Sequence, residues 1–75
     1  MTIYQFTAHI EKDPDTGLYL GTIPNVPGAH TQASTLDELS SNLKEVLTLC
    51  LEEMTQEELK AIPEFIGFQQ VHVAI

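Results

Sequence analysis

At 75 residues and 43% hydrophobic content, the chain is expected to form one small globular domain over residues 1–75, with no room for a second core or a separately folding DNA-binding tail. Three Lys+Arg against eleven Asp+Glu give a formal net charge of −8, which excludes nucleic-acid binding driven by a row of cations, because Lys12, Lys44 and Lys60 are scattered. A single cysteine excludes an internal disulfide, and no apolar run approaches the roughly 18 residues of a membrane span.

Residues 3–12 alternate, with Tyr4, Phe6, Ala8 and Ile10 on one side and Gln5, Thr7, His9 and Glu11 on the other, the pattern of a half-buried strand whose polar parity faces solvent or a partner. Asp13-Pro14-Asp15-Thr16-Gly17 is a turn: Pro14 presets φ, the two aspartates can bond the local backbone, and Gly17 tolerates positive φ. Residues 18–23 form the returning strand, which ends where Pro24 removes a ladder donor. Pro24-Asn25-Val26-Pro27-Gly28 reverses the chain again, and residues 29–33 make a short third strand.

Residues 36–54 carry Leu36, Leu39, Leu43, Val46, Leu47, Cys50, Leu51 and Met54 along one stripe of an amphipathic helix, with Thr35 and Glu38 forming a capping box at its start. A stripe this wide must bury itself against the strands. Thr55 and Glu58 repeat the box and open a short helical turn over residues 56–62, which Pro63 stops. Residues 65–75 read as a last strand with Val71, Val73 and Ile75 on one face; Ile66 and Phe68 have the other parity, so Gln69-Gln70 marks a bulge or a change of face. The fold class expected is α+β, a two-layer βββαβ arrangement. Two hairpins followed by a right-handed crossover place the last strand beside the first, giving sheet order 3-2-1-4 with the main helix on one face.

The stretch Gly17-Leu18-Tyr19-Leu20-Gly21-Thr22-Ile23-Pro24-Asn25-Val26-Pro27-Gly28-Ala29-His30-Thr31-Gln32-Ala33-Ser34-Thr35-Leu36-Asp37-Glu38-Leu39 resembles the signature of the HicB-like antitoxins, in which an aromatic strand leads into Pro-x-x-Pro-Gly, a small-residue strand and a Thr-x-x-Glu helix start. The resemblance covers nearly the whole chain. It implies a partial ribonuclease-H-like fold of the strand order above, and a function in binding and neutralising a small basic messenger-RNA-cleaving toxin, HicA. Two departures limit it. Many members carry a C-terminal helix-turn-helix or ribbon-helix-helix domain, whereas this sequence stops at Ile75, so operator binding is not carried over; and no glycine follows His30.

Catalysis is not expected. Two-metal hydrolysis on a ribonuclease-H-like outline needs converging carboxylates, and the middle of the first strand offers Phe6, Thr7, Ala8 and His9 instead. His9, His30 and His72 form no short-spaced ligand pair with one another or with Cys50, which suits a small buried hydrophobe in the helix stripe. No metal or cofactor is therefore expected. The acidic balance points to a protein partner carrying positive charge. Glu11, Asp13 and Asp15 at the first turn, and Glu52, Glu53, Glu57 and Glu58 at the helix end, are the candidate contacts to a HicA-type toxin. Val71, His72, Val73 and Ile75 are candidates for self-association into a dimer or tetramer through a sheet edge. The alternative is an orphan HicB-like scaffold acting through homo-oligomerisation alone. The lone cysteine and the absence of a cationic leader make the cytoplasm the expected location.

Overall fold

Three short strands and two helices follow one another along the chain: β1 His9–Lys12, β2 Tyr19–Thr22, β3 His30–Ala33, α1 Leu36–Glu52 and α2 Gln56–Lys60. The computed structural model describes residues 4–75, so the expected start of the first strand at Ile3 lies outside the described residues. The strands form one antiparallel sheet in the order β1-β2-β3. The turn between β1 and β2 works as its residues suggest. The Asp15 N–H donates to the Asp13 carboxylate at 2.8 Å, the Leu18 N–H donates to the Thr16 hydroxyl at 3.2 Å, and Gly17 sits at φ 75°. The second reversal closes through the Ile23 N–H on the Ala29 carbonyl at 2.8 Å, with Gly28 at φ 82°.

Cα pairs run His9↔Thr22, Ile10↔Gly21, Glu11↔Leu20 and Lys12↔Tyr19 between β1 and β2, and Tyr19↔Ala33, Leu20↔Gln32, Gly21↔Thr31 and Thr22↔His30 between β2 and β3. Gly21 marks the covered face. A Cβ placed on it would lie 2.9 Å from one Leu43 methyl and 3.3 Å from a Leu39 methyl, so α1 descends onto β2 where the chain has no side chain. Ile23, Val26, Ala29, Ala33, Leu39 and Leu43 form the buried core, with Phe6, Ala8, Tyr19, Leu47, Cys50, Met54 and Ile62 packed around it. The helix lies across β3 and β2, and the helix-side face of β1 is left with Ile10 at 52% exposure.

Helix starts differ in their caps. At Thr55 both halves of the box form, with the Glu58 N–H on the Thr55 hydroxyl at 3.1 Å and the Thr55 N–H on the Glu58 carboxylate at 3.0 Å. At Thr35 the hydroxyl accepts from the Glu38 N–H at 3.1 Å, and the reciprocal bond is not made. The φ of −132° at Thr35, against −74° at Thr55, turns the cap's own N–H in a different direction.

Three expectations are corrected. The first strand enters the ladder only at His9, because its neighbour ends at Thr22 and residues 23–28 turn away, so residues 4–8 have no strand partner on that side. Leu36 is 53% exposed although it belongs to the stripe, since the helix begins beyond the end of β3 and its first residue has nothing beneath it. The fourth strand over residues 65–75 is not formed, and the described sheet has three strands. Phe65 and Phe68 meet edge to face with ring centroids 5.2 Å apart, and Phe68 also packs on His9 at 5.4 Å. Residues three apart point to opposite faces of a strand, so that ring contact bends the segment out of a ladder. Beyond the bend, Val71, Val73 and Ile75 stay exposed.

Candidate functional site

The seven acidic candidates fall into two groups that the fold separates. Lys12, Tyr19 and Ala33 lie in line across one end of the sheet, so the turn that carries Asp13 and Asp15 projects from the same end at which α1 begins. Asp37 and Glu38, in the first turn of α1, add to the charge there and were not among the candidates. Their position also suits the positive end of the helix dipole. The 17 residues of α1 then carry the chain about 25 Å to Glu52 and Glu53. Glu57 and Glu58 follow in α2, tied to the opposite end of the sheet by Asn25 Nδ2 donating to the Pro63 carbonyl at 3.2 Å. Glu11, Asp15, Glu52, Glu53, Glu57 and Glu58 are exposed, and Asp13 is half-buried.

Two of these carboxylates already serve the local backbone. Asp13 braces the turn through Asp15, and Glu58 accepts the Thr55 N–H. That backbone bond, with the Thr55 side chain, holds the Glu58 carboxyl below the usual carboxylate range. Their free oxygens remain at the surface.

Between the acidic ends lies the sheet face that α1 does not cover. The register sets His9, Thr22 and His30 in one row across it and Glu11, Leu20 and Gln32 in the next, so Glu11 supplies the single formal charge of six side chains. A shallow hollow of about 440 Å³ runs over β2 and β3 here. This face agrees with the polar parity expected for the first strand.

A larger groove, of about 850 Å³, opens beside residues 4–7 and was not visible as a unit in the sequence. Phe6, Ile23, Leu59, Ile62, Phe65 and Phe68 supply its apolar lining. Only the broken alternation of residues 65–75 hinted at it, because Phe65 and Phe68 bend inward where a regular strand would have run straight. Of the self-association candidates, Val71 is 79% and Val73 75% exposed, and His72 and Ile75 are exposed as well. Cys50 is half-buried on the α1 side of the core. Among the described residues, no three His, Cys, Asp or Glu side chains gather to hold a metal ion, and no helix is long and apolar enough to cross a membrane.

Similar proteins span the same length. A UPF0150 protein of Synechocystis is 44% identical over 73 residues, covering 97% of this chain and 100% of the relative. A UPF0150 protein of Thermotoga maritima is 47% identical over 68 residues, 91% of this chain and 88% of the relative, and one of Archaeoglobus fulgidus is 46% identical over 69 residues, 92% and 94%. No family model and no solved structure matches the chain.

Proposed function

The chain belongs to the UPF0150 family, and from that premise and the surfaces above we propose that it is a protein-inhibitor module: the antitoxin of a type II toxin–antitoxin pair, covering the cationic RNA-binding face of a small basic HicA-type messenger-RNA-cleaving toxin. The observation that carries the reading is the separation of charge. Acids crowd both ends of the slab, while the sheet face between them holds six side chains and one formal charge. Protein interfaces bury a centre depleted in charge inside a polar rim, and rim charges set the encounter rate and its salt dependence. A toxin that grips RNA must display lysines and arginines, which the two acidic ends would bracket. The likeness of residues 17–39 to the HicB-like signature supports the same reading.

In this reading the protein acts by steric and electrostatic masking in the cytoplasm, where messenger RNA is exposed, and performs no chemistry of its own. The partial ribonuclease-H-like outline, with strand order 3-2-1-4, is completed when residues 65–75 dock as a fourth strand at the outer edge of β1. The second reading, an orphan scaffold working through homo-oligomerisation without a toxin, is favoured by the exposure of Val71, Val73 and Ile75.

Titrating the purified chain into a HicA-type ribonuclease acting on RNA tests the antitoxin reading. Cleavage should fall stoichiometrically at low salt and recover as salt rises, and Glu52→Lys with Glu53→Lys and Glu57→Lys should weaken inhibition. Unchanged RNA cleavage at a molar excess of the chain in low salt would rule the antitoxin reading out.

A further inference from the structure

We propose that residues 71–75 of one copy dock as an added strand along the outer edge of β1 in a second copy, and that the exchange is reciprocal across a two-fold axis. This rests on the reading that residues 65–75 complete the sheet, and goes beyond it by naming which copy supplies the strand. Three observations carry it.

The first is a match of chemistry. Val71, Val73 and Ile75 share one parity and are exposed, and the helix-side face of β1 offers Ile10 at 52% exposure beside half-buried Ala8 and Phe6. A strand laid against that edge with its apolar parity on the helix side would cover Ile10 and extend the core by one row. The backbone groups on the outer side of β1 have no neighbouring strand in the described sheet, which makes them a template for pairing.

The second is charge. Two copies, each at −8, repel unless the surfaces brought together are uncharged. Residues 65–75 contain no Asp, Glu, Lys or Arg, and residues 4–10, which lead into the edge of β1 ahead of Glu11 and Lys12, contain none either. A basic partner would be drawn to the acidic ends. The uncharged run from Tyr4 to Ile10 and the uncharged arm suit one another, and both come from this chain.

The third is reach. A 75-residue domain packs to a radius of gyration of about 11 Å. This chain measures 14.4 Å, with extents of 42 × 31 × 17 Å, and residues 71–75 stand exposed beyond the Phe65–Phe68 bend. An arm whose last five residues stay exposed in its own chain is free to enter another copy's sheet. A two-fold arrangement then uses both arms and both β1 edges.

Sedimentation equilibrium of the full chain tests this without any toxin, so its failure and that of the antitoxin reading are separable. The expected mass is twice the 8.3 kDa of one chain, and the double variant Val71→Asp with Val73→Asp should sediment as a monomer while keeping its far-ultraviolet circular dichroism. Nuclear Overhauser contacts filtered between labelled and unlabelled copies provide a second readout in the unaltered protein, with Val71 and Val73 methyls of one copy meeting Ile10 and Ala8 of the other. A monomeric wild-type chain at high micromolar concentration, a dimer that survives the double variant, or the same methyl contacts found only within one copy would each overturn the proposal.

Discussion

Residues 19–52 and residues 65–75 are both rich in apolar side chains, yet the first stretch holds all six core residues, Ile23, Val26, Ala29, Ala33, Leu39 and Leu43, and the second holds none. The difference lies in neighbours. Each apolar residue of β2 and β3 meets α1 or the adjoining strand within the same chain, so burial follows directly from local order. The last eleven residues have the composition of a strand but bend at Phe65 and Phe68, and their outer half faces solvent. Apolar content states a need for cover and leaves open which chain provides it.

The largest expected effects strike the covered region. Leu39 is fully buried, and Leu39→Ala should cost about 2–5 kcal/mol in urea unfolding, whereas Val73→Ala at a dilution that keeps the chain monomeric should change stability by less than about 0.5 kcal/mol. Equal losses at the two sites would mean that Val73 is as well covered within one chain as Leu39. Gly21→Val comes next. The new side chain would press on Leu43 from 2.9 Å and on Leu39 from 3.3 Å, and an overpacking cost of about 1–3 kcal/mol should appear as a lower thermal midpoint.

Smaller effects sharpen the boundary between the regions. Thr55→Ala removes the hydroxyl that accepts the Glu58 N–H, leaves the backbone N–H of residue 55 on the Glu58 carboxylate, and should destabilise α2 by about 1 kcal/mol, loosening Leu59 and Ile62 at the groove, with hydrogen exchange rising in α2 ahead of α1. Acidification should produce the least change. Glu58 has its carboxyl held below the ordinary range in the folded chain, so its contribution is present above the unfolded value and is lost as pH falls through the folded one. Amide exchange in α2 should therefore quicken in strongly acidic solution, and Glu58→Gln should remove that dependence.

Much of the covered region was legible in the sequence because its signals are local. Thr35, the 3-4 spacing from Leu39 onward, Gly17 and the Pro24-to-Gly28 reversal each specify their own few residues, and the strands and helices form within a residue or two of where those signals place them. The candidate site was legible in kind and not in arrangement. Acids can be counted along the chain, but it is the strand register and the length of α1 that send Asp13 and Asp15 to one end and Glu52, Glu53, Glu57 and Glu58 to the other. The first strand was overextended because residues 4–8 have strand patterning while their would-be partner turns off at Pro24, a fact about residues twenty positions away. The groove joins Phe6 to Phe68, a contact that no local pattern encodes.

Residue-resolved amide hydrogen exchange on the full chain, at a concentration where sedimentation gives its assembled state, tests most directly whether the exposed arm finds its cover outside its own chain. The amides of residues 71–75 should be protected there alongside those of β1, and should lose protection on dilution while β2 and β3 keep theirs. Free-chain exchange at residues 71–75 under both conditions, or protection that persists undiminished in the monomer, would contradict it.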